Sequence, residues 1–513
     1  MATPAQDEVP HRLIITLCTV GATLMQALDQ TIANVALPYM QGSLSATTDE
    51  ITWVLTSYIT AAAIMTAPVG WLAARFGRKY LFITCLIGFT VASMLCGAAQ
   101  SLVQMVVFRV IQGVFGAALV PLSQSTMMDI YPMEKRGQAM AIWGMGVMVG
   151  PILGPTLGGY LTELYNWRYV FYINLPFGIL ATLGLIVFMP RSHPNFNMRF
   201  DWIGFAVLSL GIGGLQMMLD RGQNQDWFSS AEIVTELVLG CLGVYLFVVH
   251  MMTAKKPFIP PAMFRDRNFT TGAVVMFAAG TVLVSSSSLM APWLQTLANY
   301  PVESAGLIMA PRGLGTMAAM MTGGRLTSRI DPRVLMAFGI VLLVWSIWDM
   351  TSWTPDVAQW RIMATITAQG AGLGFLFIPL QVLAFATLPG QYRTDGASLF
   401  SLFRNIGAAI GVSVTSSMLV HNTQILHEEI GGSVTPFNRA LTSGGAVGHF
   451  WDPATRHGAA MLDTVVNQQA QIIAYVDDYK MMIFTTAPML LLLLLMRRSR
   501  PAVKHEPVEM AEL

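Results

Sequence analysis

Fourteen stretches of mostly apolar residues divide the chain, each long enough to cross a bilayer as a helix of about 20 residues. They lie at about 13–37, 50–72, 80–98, 103–126, 138–160, 168–189 and 202–220 in the first part of the chain. The others lie at about 231–252, 269–294, 302–324, 334–351, 361–386, 397–420 and 478–496. Backbone in hydrocarbon must satisfy its own hydrogen bonds, and the short alternating segments of a barrel are absent, so these blocks are expected to be helices. Only 11% of the residues are Asp, Glu, Lys or Arg, against about 25% in a soluble protein. So little charge cannot clothe a soluble surface, which excludes a cytosolic enzyme, a disordered chain and a secreted disulfide scaffold. A net charge of +1 gives no basic field for nucleic acid. The expected class is an all-α integral membrane protein.

Cys18, Cys85, Cys96 and Cys241 each sit inside an apolar block and have neither zinc nor disulfide spacing, so they read as small packing residues. The first block is too long for a signal-peptide core and lacks a small-residue cleavage site, so it is kept as a helix. With the N-terminus placed inside, 20 of the 29 Lys and Arg fall on inner tails and loops, six on outer segments, and three within blocks. That asymmetry predicts a multi-pass protein with both termini cytoplasmic. One outer connection, 421–477, is expected to be a long loop with the scattered His421, His427, His449 and His457. Their spacing does not suit a metal, and the loop's length suggests a functional or docking segment.

Internal echoes refine the architecture. Gly70-x-Leu72-x-x-Arg75 ends the second block and Gly324-x-Leu326-x-x-Arg329 falls at the end of the tenth. Gln112-Gly113 with Gly116 and Pro121-Leu122 recurs as Gln369-Gly370 with Gly374 and Pro379-Leu380. These echoes predict two homologous six-helix halves in the same orientation. The N-terminal half is 1–190, a two-helix insert spans 191–265, and the C-terminal half is 266–513. Parallel halves with a site at their interface are a transporter architecture.

Several motifs carry a resemblance. Leu28-Asp29-Gln30-Thr31-Ile32-Ala33-Asn34-Val35-Ala36-Leu37-Pro38 resembles the first-helix signature of fourteen-helix drug:proton antiporters of the major facilitator superfamily. Gly70-x-Leu72-Ala73-Ala74-Arg75-Phe76-Gly77-Arg78-Lys79 resembles the superfamily's motif between helices two and three. Arg109-x-x-Gln112-Gly113 is similar to its fourth-helix motif. Gly146-x-x-x-Gly150-Pro151-x-x-Gly154-Pro155-x-x-Gly158-Gly159 is similar to the fifth-helix antiporter motif. Trp167-Arg168 with Ile173-Asn174-x-Pro176-x-Gly178, and Leu219-Asp220-Arg221-Gly222 with Asp226-Trp227-Phe228, resemble the EmrB branch. The loop motif usually has Asp where Ala74 stands, so the inner latch attributed to that Asp does not carry over. The resemblance implies proton-driven export of hydrophobic toxic compounds across an inner membrane, using the proton gradient and no cofactor. For this branch it also implies a periplasmic membrane fusion adaptor and an outer-membrane channel as partners.

Charges inside a bilayer are costly, by about 2.5–3.5 kcal/mol on insertion scales. Asp29 lies roughly nine residues before Pro38, about 13 Å from the outer end of its helix, and Arg109 lies about 9 Å deep in helix four. Similar depths make a carboxylate–guanidinium pair and proton coupling the expected role. Aligning the repeats places Ile366 opposite Arg109, so this cation occurs in one half only. Asn34 and Gln112 are candidate partners for the pair or for substrate. Arg312, beside Pro311, is either a counter-charge for anionic compounds or bonded to freed carbonyls. Arg404 is expected to gate or to snorkel, and Asp129 to pair with a loop Arg. Gly70, Arg75, Gly77 and Arg78 are expected at the inner gate. Gly146, Gly150, Gly154 and Gly158 form a smooth stripe on helix five, bent by Pro151 and Pro155. The 35 Met suit a tolerant cavity, to which Met217, Trp143 and Phe375 are assigned.

Drug:proton antiport is therefore the leading expectation. A narrow exporter of one metabolite or siderophore shares the same features. A membrane-embedded enzyme or sensor is disfavoured, because no His, Cys or acidic residues cluster at catalytic spacing. An ATP-driven pump lacks its phosphate loop.

Overall fold

The computed structural model describes residues 10–132, 135–191, 194–255, 257–434 and 455–497, and no strand occurs among them. The first half comprises α1 (Arg12–Ser43), α2 (Trp53–Thr66 and Val69–Phe76), α3 (Arg78–Ala98), α4 (Leu102–Gly116 and Leu119–Ile130), α5 (Arg136–Leu164) and α6 (Tyr169–Tyr172 and Asn174–Phe188). The insert is a hairpin of α7 (Trp202–Arg221) and α8 (Ala231–Thr253). The second half comprises α9 (Arg267–Pro292), α10 (Val302–Leu326), α11 (Pro332–Met350) and α12 (Gln359–Ala386). It closes with α13 (Arg393–Ser433) and α14 (Arg456–Thr486 and Met489–Leu495).

Among the described residues, eleven helices are long and apolar enough to cross a membrane, or twelve when the two arms of α2, bent by 58°, count as one span. The other two long helices, α5 and α10, have 29 and 25 residues and are consistent with the fourteen expected. Local chemistry sets several starts. Ser101 caps α4 by accepting from the Gln104 amide, Asp201 caps α7 through Gly204, and Asp266 caps α9 through Asn268 and Phe269.

The pairings of the first half recur in the second. Helices α1 and α5 pack together as α9 and α13 do, α2 and α4 as α10 and α12, and α3 and α4 as α11 and α12. Between the halves, α5 lies on α10, and α13 lies on α2 and α4. The α7–α8 hairpin rests against α2 and α13.

The glycine stripe of α5 faces α1. A side chain at Gly146 would meet Val20, at Gly150 Ala27 and Leu28, at Gly154 Thr31, and at Gly158 Ile32 and Val35. Thr31 Oγ1 donates to the Gly150 carbonyl at 3.2 Å across this contact. Pro151 and Pro155 fall on the uninterrupted helix Arg136–Leu164, but their side chains lie outside the described residues.

Segment 421–477 differs from the expected loop. Helix α13 continues to Ser433 and α14 starts at Arg456. In α14, Gly458, Leu462, Val466, Ala470 and Ala474 recur every fourth residue and are buried, giving one apolar stripe on an otherwise polar helix. Average hydropathy hides such a stripe. His427 Nε2 meets Asp463 Oδ1 at 2.9 Å, tying the two extensions together. Residues 435–454, with His449, lie outside the described residues.

The Gly150 contact yields a direct check. A Cβ there would stand 2.7 Å from the Ala27 carbonyl carbon and 2.8 Å from the Leu28 nitrogen, both backbone atoms. Gly150→Ala is expected to destabilise the purified protein by about 1–3 kcal/mol. Gly159→Ala, which meets nothing within 4 Å, should melt like the wild type.

Candidate functional site: a sealed ion pair and the seam between the halves

Asp29 on α1 and Arg109 on α4 are both 0% exposed. Arg109 Nη1 donates to Asp29 Oδ2 at 2.7 Å and to Gln112 Oε1 at 2.8 Å. Its Nε donates to the Val54 carbonyl on α2 at 3.0 Å. The guanidinium carbon lies 4.2 Å from the Tyr58 ring centroid, a cation–π contact, while Nη2 has no hydrogen-bond acceptor among the described residues. Gln112 Nε2 donates to Asp29 Oδ1 at 2.7 Å, and Asn174 Nδ2 of α6 approaches the same oxygen at 3.3 Å. Asn174 also donates to Ser93 Oγ of α3 at 2.9 Å. Five helices thus close around one carboxylate. Every lone pair of Asp29 that faces a donor is used, as buried ions require.

Helix geometry explains part of this set. Arg109 and Gln112 are three residues apart and share a face. Asn34, five residues from Asp29, turns to another face, is exposed and does not join the pair. Asn174, Ser93, Val54 and Tyr58 were not singled out from the sequence. Asn174 lies in the Ile173-Asn174-x-Pro176 motif, early in helix six and at a depth similar to that of Asp29, which is the signal that the sequence carries for it.

On the face where α1 begins and α14 ends, Asp129 at the end of α4 accepts from Arg78 at the start of α3. It also accepts from Arg393 Nη1 at the start of α13, at 2.8 Å. This acid therefore joins the two halves. Gly70 lies against the Asp395 carboxylate of α13, and a side chain there would collide with it. Gly137 of α5 and Gly324 of α10 are in mutual backbone contact nearby. Gly77 turns the chain between α2 and α3 with φ of 85°. Arg75 does not reach the other half. It donates to the carbonyls of Phe196 and Met198 in the connection to α7 and stacks on Trp71. The Asn195 amide donates to the Ala74 carbonyl at 3.1 Å, so this connection braces the motif at the position lacking its usual acid.

A crevice in the seam is lined by Trp143 of α5, Met320 of α10, Gln381 of α12 and Arg404 of α13. At about 20 Å³ it has room for a water and not for a drug. Trp143 and Arg404 thus come together as interface residues. Phe375 instead meets Phe338 of α11 edge to face, with ring centroids 5.3 Å apart, while its neighbours Phe377 and Ile378 reach the crevice. Met217 is on α7 of the insert hairpin and does not line it. Arg312 is anchored to α9, donating to the Leu283 carbonyl at 2.9 Å, to Ser286 Oγ at 2.8 Å and to Ser287. Among the described residues no group of three His, Cys, Asp or Glu could hold a metal.

The sequence profile of the Major Facilitator Superfamily matches residues 19–412. The chain belongs to the Major Facilitator Superfamily. It is 36% identical over 428 residues to the Multidrug export protein EmrB of Escherichia coli (strain K12), covering 83% of this chain and 84% of that one. It is 34% identical over 462 residues to the Fatty acid resistance protein FarB of Neisseria gonorrhoeae, covering 90% and 91%. Among solved structures, its fold is similar to a bacterial homolog of the human lysosomal transporter Spinster in an inward-facing, unoccupied conformation. That match has a TM-score of 0.56 at 17% identity, over 96% of this chain and 99% of that one. It is also similar to the proton:xylose symporter XylE, with a TM-score of 0.58 at 14% identity, over 91% and 95%.

Burial of the pair predicts a stability cost when one partner is removed. Arg109→Gln leaves a buried carboxylate without its cation, a loss of about 3–5 kcal/mol. The melting temperature of the purified variant should fall well below that of the wild type, and an unchanged melting temperature would mean that the pair does not hold these helices together.

Proposed function

We propose that this membrane protein is a proton-coupled antiporter that exports hydrophobic drugs by alternating access, with Asp29 as the proton carrier. The observation that carries the reading is a carboxylate sealed from water and held by one guanidinium. Protonation of Asp29 from the outer side removes its attraction for Arg109 and frees the helices that the pair draws together. Return of the pair on drug binding from the cytoplasm expels the proton. The Arg78–Asp129–Arg393 bridge and the Gly137–Gly324 contact close the terminal face between turnovers, and drug entry requires them to part. The crevice at Trp143, Met320, Gln381 and Arg404 is where the widened seam receives the drug.

The Lys and Arg asymmetry favours cytoplasmic termini, and the EmrB-branch motifs favour an inner-membrane location. The same motifs favour assembly with a periplasmic membrane fusion adaptor and an outer-membrane channel, for which the joined extensions of α13 and α14 offer an external surface. A narrower range is the second reading. The similarity to FarB and the cations Arg404 and Arg312 near the seam favour acidic amphiphiles among the substrates.

Proteoliposomes containing the full chain test the coupling. Adding a drug substrate should evoke proton movement with the wild type and none with Asp29→Asn, which keeps an oxygen acceptor for Arg109 but loses its counter-charge and is therefore compared only after circular dichroism shows it folded. Undiminished proton movement in that variant would remove Asp29 from the coupling role.

A further inference from the structure

The apolar stripe of α14 ends in an acid. After Gly458, Leu462, Val466, Ala470 and Ala474, the next position at four-residue spacing is Asp478, which is 0% exposed. Neither of its carboxylate oxygens has a hydrogen-bond partner among the described residues. The neighbouring Tyr479 is 1% exposed, and its hydroxyl is also unpartnered. Tyr475, Tyr479 and Met482 belong to an apolar cluster with Trp293, Met350 and Trp353.

Among the described residues of α14 and of the helices packed on it, none offers the acid a cation. On α14 itself, Lys480 is taken by the more exposed Asp477 at 3.0 Å. Helices α9, α11 and α13 pack against α14. The ionisable side chains of α9 and α11 are Arg267 at the start of α9, Arg333 at the start of α11, and Asp349. Asp349 is bound to Arg361, Thr365 and Trp353. The antiparallel register set by His427 and Asp463 places Asp478 level with position 412 of α13. Arg404 and His421 stand about two turns to either side of that level, Arg393 and Asp395 lie farther along one way, and His427, Glu428 and Glu429 farther the other. Near that level of α13, the hydroxyls of Ser413 and of Ser285, which lies against Gly411 from α9, are buried and have no hydrogen-bond partner among the described residues.

We propose that Asp478 is a second proton-binding carboxylate, carried by the C-terminal half and held as the neutral acid in this conformation. An ionised carboxylate enclosed without donor or cation is far less stable than the acid. Asp29, by contrast, is paired with Arg109. Asp478 loses its proton when rearrangement of α13 and α14 admits water to the cluster. Its part in coupling rests on the antiport reading, but its protonation does not.

Infrared spectroscopy of the full-length purified protein in lipid tests the protonation directly. At pH 7 the wild type should show the C=O band of a buried carboxylic acid. Asp478→Asn should lose it, Asp478→Glu should shift it, and Asp29→Asn should keep it. Asparagine mimics the neutral acid, so Asp478→Asn should melt like the wild type and release about one fewer proton per chain on titration from acid to alkaline pH. A wild-type band that persists unchanged in Asp478→Asn overturns the proposal. So does a strongly lowered melting temperature with an unchanged proton count, since that marks an ion with a structural partner. Loss of the band together with an absence of drug-evoked proton movement in the wild type would sustain this proposal while refuting antiport.

Discussion

A guanidinium deep in a helical bundle must be given acceptors from within the protein, because neither lipid nor water supplies them there. The arrangement of the first half follows from that requirement at Arg109. Its partners come from α1, α2 and its own helix, and the carboxylate it holds is in turn met by α6, which is linked to α3. Removing any one helix leaves a buried charge or amide unsatisfied. The second half has Ile366 where the repeat would place a cation, and it packs that region with apolar side chains. The two halves thus share helix pairings while differing in what binds them internally. One contains a charged lock, and the other an apolar core with an isolated acid.

Close backbone approach is the second constraint, and it distributes motion. Glycines of α5 let α1 lie against it within the first half, and Gly407 and Gly411 of α13 do the same against Phe277 and Thr281 of α9. Between the halves, Gly137 meets Gly324, and Gly70 meets Asp395. Charge supplements shape at that face through Asp129, bonded to both Arg78 and Arg393. The motif position occupied by Ala74 needs no acid for this closure, since Asp129 supplies the carboxylate. Arg75 serves the insert connection instead. Fixed glycine contacts inside each half, with an ionic bridge and a few glycine contacts between them, suit halves that move as units.

Depth and spacing made much of this legible in the sequence. Counting residues from the helix ends put Asp29 and Arg109 at one level, and the three-residue step to Gln112 put it on the same face. Repeated motifs pointed to two like halves. Partners contributed by other helices were not legible, because neither depth nor spacing says which face of α6 or α3 turns toward α1; Asn174 and Ser93 are of this kind. Rotation about a helix axis also decided Phe375 against Phe377, and Asn34 against the pair. Residues 421–433 and 456–477 read as loop because polar residues lower their mean hydropathy. Only the four-residue recurrence from Gly458 to Ala474 reveals the helix, and Asp478 becomes conspicuous only once that stripe is seen.

Proton coupling as proposed requires Asp29 to exchange its guanidinium for a proton as the bundle rearranges. Carbodiimides attack protonated carboxyls in apolar sites, so their reaction at Asp29, quantified by mass spectrometry of the intact protein in lipid, follows that exchange residue by residue. Labelling of Asp29 should accelerate as pH falls and be suppressed by a saturating drug substrate. A labelling rate indifferent to both pH and drug would contradict the account.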